Sequence, residues 1–227
     1  MAGAAAIALV PAFPAVAFAE DDTFAFSIDY SEFRISDDAD SYYLESVLAT
    51  DLGGSALELK TAASISLDGA ASSGEAELKF VQPVSANLSL VAGGLQTIAP
   101  GDDVATGFVG VEFPLFTGVG IETLFLLSEH GEVEANAEVS ARFDLGWHVA
   151  VLPKTKVVFS EAGEHARLGG PHGWESSLRL GYAGRSGILP YVGIIHWRAL
   201  GDAAREMRLA GEDARSTFGV IGFRAAL

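Results

Sequence analysis

Charged residues in this chain fall repeatedly at even spacing. Glu58 with Lys60, Glu75 with Glu77 and Lys79, Glu134 with Glu138 and Arg142, Lys154 with Lys156, and Glu175 with Arg179 all keep it. Side chains of a β-strand alternate between faces, so this spacing gathers carboxylates and cations on one face. Glu112, Glu122, His148 and Arg224 join that parity on their own strands. Charges turned into a confined interior must be matched, because an unpaired buried ion carries a large desolvation cost. One expectation is therefore a paired network of Glu58, Lys60, Glu77, Glu112, Glu122, Glu138, Arg142, Arg179 and Arg224. In it the three arginines neutralise acids such as Glu112, Glu122 and Glu138. The other is that surplus acid focuses cations toward an interior or loop site.

Imidazole and carboxylate together suit Cu(II) or Zn(II). Glu161, Glu164, His165 and His172 share one loop and form the best local metal candidate, with His148 as a further interior candidate. A solvated polar loop explains the same residues, and His148 and His196 read equally as hydrogen-bonded histidines. Met207 is the only methionine beyond residue 1, which gives soft thioether ligation of Cu(I) no support. Hydrolytic chemistry needs a nucleophile within reach of an oriented base. Ser128 with His130 comes nearest and lies at a loop tip, so the chain is expected not to be an enzyme.

The elements that must position these residues announce themselves between Glu132 and Asp144. Val133, Ala135, Ala137, Val139, Ala141 and Phe143 alternate with Glu132, Glu134, Asn136, Glu138, Ser140, Arg142 and Asp144. A ribbon with one apolar and one charged face suits either a soluble core or an outer-membrane barrel with lipid outside and charge inside. Twelve alternating segments are expected, at about 24–35, 41–50, 55–67, 74–82, 86–97, 104–113, 117–128, 132–144, 147–160, 174–184, 188–199 and 214–227. Ten or fourteen strands remain compatible with other divisions of the same stretches. Tight turns at Asp51 to Gly54, Pro83 to Ser85, Pro114 to Phe116, Leu145-Gly146 and Arg185 to Gly187 alternate with longer polar loops, the last with a helical turn from Ala203 to Leu209. That alternation matches periplasmic turns and outer loops. Phe24, Phe26, Tyr42, Phe113, Trp147, Phe159, Trp174 and Tyr182 are placed to form interfacial girdles. The fold class is all-β: a single antiparallel transmembrane barrel in the outer membrane of a Gram-negative cell, in contact with its lipid.

Composition agrees. In 227 residues, 49% are hydrophobic and 26 are glycine, as a globular or barrel protein requires. Cysteine is absent, which removes thiolate metal sites and disulfides from consideration. A formal charge of -16 argues against nucleic acid, whose phosphates need a basic surface. The uncharged stretch 1–19 ends in Ala17-Phe18-Ala19 and reads as a signal peptide, leaving 20–227 as the barrel.

Several of these segments resemble the copper resistance protein B family of Gram-negative outer membranes. Asp29-Tyr30-Ser31-Glu32-Phe33-Arg34 is similar to that family's opening acidic-aromatic strand and Leu57-Glu58-Leu59-Lys60-Thr61 to its third. Leu124 to Val133 resembles its central hairpin. Leu178-Arg179-Leu180-Gly181-Tyr182, Pro190-Tyr191-Val192-Gly193, Ala210-Gly211-Glu212-Asp213 and Arg224 follow in the family's order. The resemblance implies an outer-membrane barrel of copper tolerance that binds copper or aids its export, with copper or other cations and periplasmic copper-resistance proteins as partners. The family carries a Met- and His-rich segment ahead of the barrel, whereas only Glu20-Asp21-Asp22-Thr23 separates the expected cleavage site from the first strand here. Where the family's eleventh strand has acidic and aromatic residues, this chain has Ile195-His196-Trp197. The alternative is a small nonspecific or cation-preferring porin, or a structural surface barrel.

Overall fold

The computed structural model describes residues 24–36, 40–67, 72–99, 102–161, 168–182 and 187–226. The expected signal peptide and cleavage site lie outside them. One antiparallel sheet runs through β1 (Phe24–Ile35), β2 (Ser41–Asp51), β3 (Ala56–Ser66), β4 (Ser73–Ser85), β5 (Leu88–Ala99), β6 (Asp102–Phe116), β7 (Val119–Ser128), β8 (Val133–Ala141), β9 (Phe143–Asp144), β10 (Val149–Glu161), β11 (Leu168–Tyr182), β12 (Ile188–Ala199) and β13 (Arg215–Ala226). Consecutive strands pair, except that β8 pairs with β10 rather than with β9, and β13 pairs with β1, which closes the sheet. β9 continues β8 after a break at Arg142, whose N–H bonds the Gly118 carbonyl instead. The barrel therefore has twelve traverses, as the alternation predicts.

Closure removes the unpaired edges that a long open sheet would leave. The outward face is apolar and exposed, with Leu44, Leu48, Leu78, Phe80, Val109, Phe125, Leu178, Val192 and Ile221 among its members. In water such a surface would drive association; in lipid it is the favoured one. Phe24, Phe26, Phe113 and Tyr182 ring the turn end. Tyr42, packed on Phe33 at 5.1 Å, joins Phe159 and Trp174 near the loop end, so the two expected girdles form.

Two expected turns sit elsewhere. Pro83 to Ser85 and Pro114 to Phe116 are the last residues of β4 and β6, and the chain reverses at Ala86-Asn87 and Thr117-Gly118. Register irregularities between Pro83 and Ser85 and between Pro114 and Phe116 accommodate the prolines, which cannot donate to a regular ladder. At the loop end, α1 (Gly201–Ala210) packs on β11 and β12 through Ala204, which is buried with Ala199 and Ala214 and flanked by Trp197 and Met207. Gly211 ends it in the left-handed conformation that glycine adopts without a Cβ penalty.

Candidate functional site: a charge-filled lumen

The decisive local event is a bulge in β1. Its register shifts between Ile28 and Ser31 against β13 and between Ile28 and Tyr30 against β2. A bulge adds one residue to one strand and exchanges the faces beyond it. Before it, Phe24 and Phe26 face outward; after it Phe33 and Ile35 do, and Glu32 is turned inward with no exposed surface.

Glu32 is the centre of one wall of the lumen. Its Oε2 accepts hydrogen bonds from Arg179 Nε at 3.1 Å and from the Tyr191 hydroxyl at 2.9 Å. Its Oε1 accepts from Arg179 Nη2 at 3.1 Å and Arg34 Nε at 2.9 Å. Four donors match the acceptor capacity of one carboxylate, as a buried anion demands. Arg179 also donates to Ser177 Oγ at 2.8 Å and lies 4.5 Å from the Tyr30 ring centre. Arg34 covers Tyr43 at 3.9 Å, and Arg224 stands 5.3 Å from the other side of this group at Tyr30. Space for the cluster comes from Gly193, paired with Arg179, and Gly222, paired with Glu32; a Cβ at Gly193 would overlap Arg179, and one at Gly222 the Ser31 carbonyl and Glu32.

A different arrangement occupies the facing wall. Lys79 Nζ lies 2.9 Å from Glu112, 3.1 Å from Glu58 and 3.5 Å from Glu122. Lys60 pairs with Glu77 at 2.7 Å and Lys154 with Glu138 at 2.9 Å. Nearer the loops the same wall is apolar, with Val91, Phe108, Leu124 and Leu126 buried together. Inward-facing residues would be wet in an open pore. Here they are buried on both walls, by Glu32, Arg179, Tyr191 and Ile195 on one side and by these four on the other. Below this filled level a cavity of about 980 Å³ reaches the turn end, lined by seven carboxylates and five cationic side chains, Glu58, Lys79, Glu122 and Glu138 among them.

The expected pairing of Arg142, Arg179 and Arg224 with Glu112, Glu122 and Glu138 is replaced by other partners. Glu58, Lys60, Glu77, Glu112, Glu122 and Glu138 all face the lumen, and lysines neutralise them. Arg179 holds Glu32 instead, and Arg224 lies over Tyr30. Arg142 sits at the cavity mouth, in the break between β8 and β9, and pairs with Asp144 of β9 at 3.1 Å. His148 does not face the lumen: it occupies the turn after β9 with φ 63°, beside Trp147 at φ 55°, and its ring meets Tyr182 edge-on. His172 is exposed at the opposite end of the barrel, so the two histidines cannot share a metal. Glu164, His165 and the side chain of Glu161 lie outside the described residues. Among the described residues no group of three His, Asp or Glu side chains has metal-holding geometry. His196 faces outward and shares a hydrogen bond of 2.9 Å with Thr217.

The sequence reading missed Glu32 because strict parity carried through β1 places it on the lipid face. A signal existed: the apolar parity of Phe24, Phe26 and Ile28 switches to that of Phe33 and Ile35. The segments that carry the family resemblance also supply Arg224 and the trio of Glu32, Arg179 and Tyr191, which meets across as many as 159 residues of chain.

The family model for copper resistance protein B precursor (CopB) matches residues 23–227. The chain belongs to the copper resistance protein B family. Among solved structures the barrel is similar to the NanC porin, with a TM-score of 0.61, 10% identity, and 89% of this chain and 100% of that one covered. It is also similar to the KdgM porin, with a TM-score of 0.60, 10% identity, and 88% and 99% covered. At such identities the likeness concerns the fold: a twelve-stranded outer-membrane barrel. No curated protein sequence matches the chain. Family and fold together place this CopB-family barrel in the outer membrane.

Proposed function

We propose that the barrel serves copper tolerance by admitting Cu(II) from the periplasmic side into its carboxylate-lined cavity, as cargo for binding or onward export. The observation that carries this reading is the cage at the top of that cavity, where Glu58, Glu112 and Glu122 converge on the single ammonium of Lys79. Hard oxygen donors in excess over cationic side chains along an acid-rich chamber form a field that concentrates cations. The cavity lining offers carboxylate rather than thioether, which favours Cu(II) over Cu(I). Periplasmic copper-resistance proteins would meet the barrel at this end.

A nonspecific porin is the competing reading, and the buried residues at mid-height on both walls count against a wide water channel. No catalytic role is proposed. The His196–Thr217 pair has the edge of Trp174 beside its imidazole, and among the described residues no carboxylate hydrogen-bonds the ring as a hydrolase base requires.

The test is calorimetric titration of the purified barrel with Cu(II), beside the copper sensitivity of a deletion strain. Binding that E58Q/E122Q weakens, with a sensitive deletion strain, is the expected result. Equal binding by that variant, or no binding and no copper phenotype alongside planar-bilayer conductance, overturns the proposal in favour of a porin.

A further inference from the structure

At the loop end the acidic excess disappears, because residues 198–215 set four arginines against four carboxylates. In a chain of formal charge -16, Arg198, Arg205, Arg208 and Arg215 all fall within 198–215. Arg198 and Arg215 are directly opposite each other on β12 and β13, both exposed on the outward parity of their strands. Like charges across a ladder repel. None of Arg198, Arg208 and Arg215 forms an ion pair among the described residues. The three line one cavity of about 360 Å³ with Ala214, and Glu212 and Asp213 border it without pairing to them.

Position decides what such a cavity can hold. On the same outward face, one step toward the barrel centre, lie His196 and Thr217, with Trp174 at the edge of the imidazole. A further step reaches exposed Ile194, then Val192 and Ile221 of the apolar belt. Two residues of strand advance about 7 Å, so the guanidinium groups stand at headgroup height, directly above the aromatic girdle of the outer leaflet. Guanidinium forks bind phosphate in a bidentate way, and basic clusters beside a lipid face select anionic headgroups.

We propose that Arg198, Arg208 and Arg215 form a binding site for a phosphate group of the phosphorylated glycolipid of the outer leaflet. The site draws two arginines from the barrel wall and one from α1, so an occupying phosphate ties the loop-end helix to the sheet. It rests on the outer-membrane placement of the barrel and not on the copper reading.

The experiment uses the full barrel purified in detergent, titrated with bisphosphorylated lipid A, dephosphorylated lipid A or inorganic phosphate. Bound lipid is counted by native mass spectrometry, and the thermal midpoint is followed on heat-modifiability gels. Bisphosphorylated lipid A is expected to bind and raise the midpoint, with an affinity at least tenfold weaker for R198A/R208A/R215A and unchanged for R205A, which leaves the cavity intact. Should the triple variant not fold, R208A is compared instead and is expected to bind several-fold more weakly. Equal binding by the pocket variants, or equal binding of dephosphorylated lipid, overturns the proposal. An equal response to inorganic phosphate overturns the lipid assignment and leaves a small-anion site.

Discussion

The two walls of the lumen neutralise carboxylates in opposite ways. Around Glu32 a planar arginine meets one acid with two parallel bonds, two further donors complete the acid, and tyrosine rings stack on the cation. Around Lys79 one point charge on a flexible stem serves three acids that never receive a cation each. The first arrangement is complete and closed to water. The second is acid-rich and borders the open cavity. Arginine is suited to a fixed fork and lysine to a shared, movable charge, so the choice of cation separates the fastening of this barrel from its cation-facing chamber.

The largest expected effect follows from breaking the closed wall. Arg179→Ala strands Glu32, which has no exposed surface, with the donors of Arg34 and Tyr191 alone. Removing one partner of a buried pair costs about 3–5 kcal/mol. Heat-modifiability gels should show a sharply lower unfolding midpoint, and Arg179→Lys should not restore it, since an ammonium can neither fork nor stack in the same way. A lysine variant as stable as the wild type would show that charge alone holds this wall and would erase the contrast.

Lys79→Met attacks the other wall and is expected to cost less, about 1–3 kcal/mol for acids left without their cation. Glu58 and Glu122 line the cavity, so the loss should be recovered by a divalent cation that enters it. Thermal midpoints with and without millimolar Ca(II) or Cu(II) make the measurement. A variant that stays destabilised in their presence would show that Glu58, Glu112 and Glu122 form a sealed structural pair-set like Glu32, not a cation cage.

The barrel itself was legible in the sequence, because period-two alternation is set by local pattern over nine or more residues in each traverse. Twelve traverses, both girdles, the short turns at one end and the helix before β13 could all be read from it. Partnership within the lumen was not legible. Parity states which face a residue occupies, but shear across the closed sheet decides whom it meets, which is why Arg179 found Glu32 rather than Glu122. Two local irregularities broke parity altogether. The β1 bulge turned Glu32 inward, and the turn at Trp147-His148 removed His148 from the strand. Both of those residues take positive φ, which tight hairpins normally give to Asn and Gly. Trp147, 94% exposed, offers no such hint in its sequence context.

Arg142 provides the smallest effect and the control that both walls need. It shares the inward parity that led the sequence reading to group it with Arg179 and Arg224, yet its side chain is 45% exposed at the cavity mouth. Its partner, Asp144, is two residues further along the chain and 64% exposed, so water screens the pair and either member can be solvated alone. Exposed pairs of this kind contribute about 0–1 kcal/mol. Arg142→Ala should therefore shift the thermal midpoint little beside Arg179→Ala, and added salt should shrink even that difference, since screening acts on exposed charges first. A loss comparable to that of Arg179→Ala would mean that Arg142 reaches past Asp144 to hold a lumenal acid such as Glu138. The cavity mouth would then belong to the fastening of the barrel, and the division between a closed wall and an open chamber would fail at its lower edge.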